Sequence, residues 1–195
     1  MKAMRVIYDE HNALSAVLHA MLHLVHDIRD HDDTPDFTLF GAMIYYIDSF
    51  PERFHHPKED QYLFRMLRLR HPASAPLLDR LHLDHVVGAE KIRTLEQALA
   101  RYQNGGGAEF SNFLTAVEAY AAFHREHMRI EEHEAFPLAQ RYLTPADWEE
   151  IDAAFLGHAD PMIGSDASTV YDKLFTRIVT MTPPPLGVGP ARTRH

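Results

Sequence analysis

The chain has 195 residues, a length that suits one domain with a small appendage. Hydrophobic residues make up 46% and charged residues 24%, which excludes a disordered or collagen-like chain. It has no cysteine, so disulfides, thiolate metal sites and cysteine nucleophiles are excluded, and its net charge of −9 argues against a nucleic-acid partner.

Leu14, Val17, Leu18, Met21, Leu22, Val25 and Ile28 recur at spacings of three and four and predict a first helix over residues 7–28. The segment HDDTPD is a loop, with Asp36 as the N-cap of a second helix over 37–50. Pro51 and Pro57 are expected to interrupt that helix, which resumes over 60–70 with Pro57 near its first turn. A third helix is predicted over 77–102, carrying Leu78, Leu81, His85, Ile92, Leu95 and Leu99 on one stripe. QNGGGAE breaks it. A fourth helix follows over 110–142, with a kink expected at Pro137. Thr144-Pro145-Ala146-Asp147 reads as a capping box opening a short helix to residue 156. A last amphipathic stretch over 166–182 is expected to dock, and 183–195 to be a disordered tail.

The expected architecture is all-α: an antiparallel up-down four-helix bundle over 1–165, with short additional C-terminal helices. No apolar run approaches the ~20 residues of a membrane span, and the start, MKAMRVIYDEHNAL, lacks the apolar core of a signal peptide. A cytoplasmic protein without a membrane partner is the expectation.

The unusual number is 15 histidines. His55 to Phe64 and His127 to Phe136 both read H-x-x-x-E-[DE]-x-x-x-F. Upstream of each stands an acid–His pair, Glu10-His11 and Asp84-His85. The chain thus reads as two copies of a helical hairpin, which implies pseudo-twofold packing. Residues four apart share a helix face, so an imidazole and a carboxylate at that spacing can reach one cation. One such pair is ordinarily a surface feature. Two copies with matching flanks point to two metal ions in the bundle core. Imidazole and carboxylate ligands without thiolate suit iron, manganese or zinc.

Glu10, Asp60, Asp84 and Glu132 are expected to face water or to hydrogen-bond the ligand imidazoles. His56, His82 and His124 are expected to support the ligands or line an approach to them, with one of the three as a ligand itself the alternative. His19, His23 and His26 read as solvated or interfacial. His31, His71, His133, His158 and His195 read as loop or surface residues, and Tyr45, Tyr46 and Phe123 as core.

These motifs resemble the hemerythrin-like family, or HHE cation-binding domain, from about Tyr8 to Gly164, with DWEEIDAAF and HADPMIG similar to its closing segment. The resemblance implies a non-haem di-iron centre. Carried over residue by residue, His11, His55, His85 and His127 are terminal ligands, and Glu59 and Glu131 are bridging carboxylates. Oxygen-carrying hemerythrins hold two histidines four apart on the third helix; here Leu81 and Ala89 flank His85 at that spacing. Those proteins also space their last pair by five, which would select Glu132. Glu131 mirrors Glu59 and is preferred. The lost histidine favours oxidation chemistry, sensing of oxygen or nitric oxide, or iron handling over reversible oxygen carriage. A di-iron oxidase or peroxidase is the alternative. A ferritin-like oxidase would need Glu-x-x-His on two helices, and Glu52-Arg53-Phe54-His55 is the only match.

Overall fold

The computed structural model describes residues 1–31 and 33–157, with Thr176 and Thr180. Apart from those two threonines, the expected appended helix over 166–182 lies outside the described residues, as do the tail over 183–195 and the boundary at residue 165. Every regular element among the described residues is helical. None is long and apolar enough to cross a membrane.

The first helix, α1, runs Lys2–His31 and outlasts its apolar stripe at both ends. Arg29 and His31 in its last turn favour the negative end of the helix dipole. The helix α2 (Phe37–Ile47) starts where the sequence indicates, because the Asp36 carboxylate accepts the Leu39 N–H at 2.9 Å.

The expected break around Pro51 and Pro57 does not occur. Pro51 lacks an N–H, and its ring crowds the carbonyl one turn back. The helix meets this by widening: Asp48–His55 are π-helical. Then come α3 (His56–Lys58), a second π-helical stretch over Glu59–Phe64, and α4 (Arg65–Arg70).

Next, α5 (Ala75–Gly105) ends at Gly106, whose φ of 64° lies in the left-handed region open to glycine. The helix α6 (Phe110–Ile130) leads into a π-helical stretch, Glu131–Ala135, and then α7 (Phe136–Tyr142). Pro137 therefore sits in the first turn of α7, just after the wide turn. The predicted capping box holds: in front of α8 (Pro145–Leu156), Asp147 accepts from the Thr144 N–H at 2.8 Å while the Thr144 hydroxyl accepts from the Asp147 N–H. Arg70 donates twice to the same Asp147 carboxylate, each at 2.8 Å, and ties α4 to α8.

Four long helical stretches pack as a bundle, α5 against α2 and α6, and α1 against α2, α6 and α8. The apolar core is in two pieces. One gathers Leu14, Val17, Met21, Phe40, Tyr46, Ile92, Leu95, Phe113 and Val117. The other gathers Ile7, Leu63, Phe64, Leu78, Leu81, Ile130, Phe136, Trp148 and Phe155. Along α1 the change from one piece to the other falls at Glu10 and His11, and along α5 at His85. A buried polar layer lies at the change. Tyr46 is core, but Tyr45 is 59% exposed, because successive residues on a helix face directions about 100° apart and only one of the two can turn inward.

Candidate metal centre

The polar layer is built from four directions. His11 comes from α1, His55 and Glu59 from the π-helical stretches around α3, His85 from α5, His127 from the last turn of α6 and Glu131 from the start of the π-helical stretch after it. Each of the six is at least 94% buried. His55 Nε2 stands 3.4 Å from Glu59, and His127 Nε2 stands 3.2 Å from Glu131. The other two imidazoles reach across: His11 Nε2 is 3.4 Å from Glu131, and His85 Nε2 is 3.6 Å from Glu59. Two overlapping sets of ligand-capable atoms result, each within 4.8 Å: His11, His55 and Glu59, and Glu59, His85, His127 and Glu131.

Behind each imidazole stands a second carboxylate on Nδ1. Glu10 bonds His55 at 2.6 Å, and Glu132 bonds His11 at 2.8 Å. Asp60 lies 3.1 Å from His85 and Asp84 3.7 Å from His127. A carboxylate at Nδ1 fixes the ring and leaves Nε2 as the coordinating nitrogen. Glu10 and Glu132 thus hydrogen-bond their imidazoles, whereas Asp60 and Asp84 stand close to theirs and leave the Nδ1 atoms of His85 and His127 without a hydrogen bond.

Charge in the layer is uneven. Burial favours a neutral Glu59, and the charge of Glu131 beside it adds to that, so its carboxyl is held well above the usual range. Burial acts the same way on Glu131, but the charge of His127 and the close imidazoles of His11, His127 and His85 outweigh it and hold this carboxyl well below the usual range. Burial opposes a charge on His127, yet Glu131 and Asp84 overcome it and raise the ring to about 10. His55 is pushed well below its ordinary value by burial and by the neighbouring His11 and His56.

The donor set fits a pair of cations. All four oxygens of Glu59 and Glu131 are buried without a hydrogen-bond partner, as is His11 Nε2. Unsatisfied buried carboxylates are costly. Divalent cations among them would satisfy both oxygens of each, and imidazole with carboxylate suits iron, manganese or zinc.

The remaining histidines divide. His82 is largely exposed on Asp60, His26 pairs with Glu118 at the surface, His23 and His31 flank Asp27, and His71 stacks on Tyr142. His158 and His195 lie outside the described residues. His56 and His124 are buried beside the centre, both on Glu52. Glu52 is the residue that sequence reasoning misses. Its pairing with His55 in Glu-x-x-His suggests a different fold, whereas its partner in space is His56, four residues on, with the Tyr120 hydroxyl donating to it at 2.9 Å. The i, i+4 spacing to His56 is the signal that could have found it.

The family model described as the hemerythrin HHE cation-binding domain matches residues 3–139. It begins before Tyr8 and stops short of the expected closing segment. No curated protein and no solved structure matches the chain.

Proposed function

Because the chain belongs to the hemerythrin HHE cation-binding family, we propose that it is a non-haem dinuclear metal protein of the up-down bundle type that binds or senses oxygen or nitric oxide, or handles iron. Its two ions are iron, with manganese or zinc as alternatives. His11 and His55 would hold one and His85 and His127 the other, with Glu59 and Glu131 as the carboxylates between them. The observation that carries this reading is the pair of fully buried carboxylates with four unpartnered oxygens facing four imidazoles. A bound iron pair supplies reversible one-electron chemistry and open positions for a small ligand. The protein's own groups hold His55 and His11 in one tautomer through Glu10 and Glu132, set Asp60 and Asp84 beside His85 and His127, and exclude bulk water with apolar packing above and below.

Metal analysis of protein purified from iron-replete cells tests it. Two ions per chain, lost in Glu59→Ala and Glu131→Ala, are expected. No bound metal in the wild type would refute it. A turnover enzyme of the oxidase or peroxidase type is the second reading, favoured by Leu81 and Ala89 where a further α5 imidazole would stand. A stable visible adduct on exposing the reduced protein to air supports binding; rapid irreversible oxidation with peroxide release supports the enzyme.

A further inference from the structure

Beside the centre the two repeats differ at two aligned positions. Adding 72 to a residue number in the first repeat gives its counterpart in the second, so His55 matches His127 and Glu59 matches Glu131. By the same rule Glu52 matches His124, and His56 matches Met128. The duplicated frame therefore offers an imidazole on one side and a thioether on the other.

His56 has the features shared by the four proposed ligands. It is 4% exposed. Its Nδ1 faces a carboxylate, Glu52 Oε2, at 3.2 Å. That carboxylate is held in turn by Tyr120, and its side chain is itself 4% exposed. The His56 ring stacks on His85 with centroids 4.4 Å apart. A ring nitrogen of His56 lies within 4.8 Å of those of His85 and His127. With Nδ1 engaged by Glu52, Nε2 is the nitrogen left to coordinate. His124 is buried equally well on the same carboxylate but joins no such set among the described residues.

Resting on the dinuclear reading above, we infer that His56 is a fifth imidazole ligand, given to the ion of His85 and His127 and oriented by Glu52. It supplies from the π-helical stretch beside Pro51 the nitrogen that Leu81 and Ala89 deny on α5. Met128, packed with Ser15 one turn from His11, occupies the equivalent place in the other half.

The test uses the full-length protein loaded anaerobically with cobalt(II), which accepts the same nitrogen and oxygen donors. Anomalous-difference crystallography counts the coordinating imidazoles, and the visible absorption of cobalt follows each titration. The expected result is two ions on five imidazoles in the wild type. His56→Ala should keep four and bind one of the two ions at least 10-fold more weakly, with free imidazole restoring the lost absorption. Glu52→Gln should weaken the same ion by about 10- to 100-fold, as loss of a group orienting a ligand does. His124→Ala should keep all five. Four imidazoles around two ions in the wild type overturn this inference and leave the proposed function standing; a wild type that takes up no pair of ions overturns both. If His56→Ala does not fold, the wild-type count and Glu52→Gln decide.

Discussion

Glu10 precedes His11 in the chain but bonds His55, on a different helical stretch, at 2.6 Å. Asp84 likewise precedes His85 and stands by His127. The acids that follow the two bridging candidates cross between repeats instead, Asp60 to His85 and Glu132 to His11. Each half of the molecule thus sets a carboxylate beside one imidazole of its own and one of the other half's. The four carboxylates close a ring of support around the centre, and the duplication becomes an interlock.

That ring predicts a graded response. Glu10→Gln and Asp60→Asn should each weaken metal binding by about 10- to 100-fold without abolishing it. Glu59→Ala and Glu131→Ala should remove at least one ion. His26→Ala, at the surface, should change nothing. Competition titrations against a chelator of known affinity give the ranking, and equal losses for Glu10→Gln and His26→Ala would dissolve the proposed role of the ring.

Metal should be linked to stability and to acid. An ion that binds only the folded chain adds about 2.7 kcal/mol per site when free metal stands at 100 times its dissociation constant. The imidazoles must be neutral to coordinate, so protons compete with metal. Their proton affinity is depressed in the loaded state relative to the ordinary value near ~6.5. The added stability is therefore present at neutral pH and lost on acidification. Thermal melts with and without chelator should differ strongly near about pH 7.5 and weakly near about pH 5. An unchanged melt at the higher pH, with metal removal verified, would uncouple the site from folding.

Asp147 should matter outside the centre. Bonds from Arg70, with those from Thr144, hold its carboxyl well below the usual range. A group depressed in the folded state stabilises above its unfolded pKa, near ~3.9, and loses that effect as pH falls toward the folded value. Asp147→Ala should cost about 1–2 kcal/mol through the broken capping box of α8, which leaves the Thr144 N–H without its acceptor. The gap between wild type and variant in urea should stay constant from neutral pH to about 4 and narrow below it. A gap that widens in acid would contradict the assignment.

Core packing gives a further check. Phe113 is fully buried in one apolar piece and Phe136 in the other. Phe113→Ala and Phe136→Ala should each destabilise by about 3–5 kcal/mol. Phe136 also stacks on His11 at 5.8 Å between centroids, so its loss should weaken metal binding too, whereas loss of Phe113 should not.

Much of this was legible in the sequence. Helix periodicity, the Asp36 cap, the Thr144 box and the glycine break are local signals, and each led to the observed element. The doubled His-x-x-x-Glu and the two upstream acid–His pairs singled out six separated residues that the fold gathers into one layer. The wide turns were not legible. A π-helical turn is set by how a helix must seat side chains against its neighbours, and Pro51 reads locally as a break. Glu52 was hidden for the same reason, because its meaning depends on Tyr120 and His124 from α6. Tyr45 shows the converse limit: an aromatic beside a core aromatic need not share its face.

The polar layer between the two apolar pieces draws on residues from His11 to Glu131, most of the described chain. Contacts so far apart in sequence carry a large loop-closure cost and are expected to form after the helices that carry them have docked. An ion in this layer is therefore a late-forming fastener: it slows unfolding and leaves the refolding rate nearly unchanged. Release of metal must wait for the layer to open. Beyond a modest concentration, more chelator should not extract it faster, and the limiting rate of extraction reads out how often the two halves part.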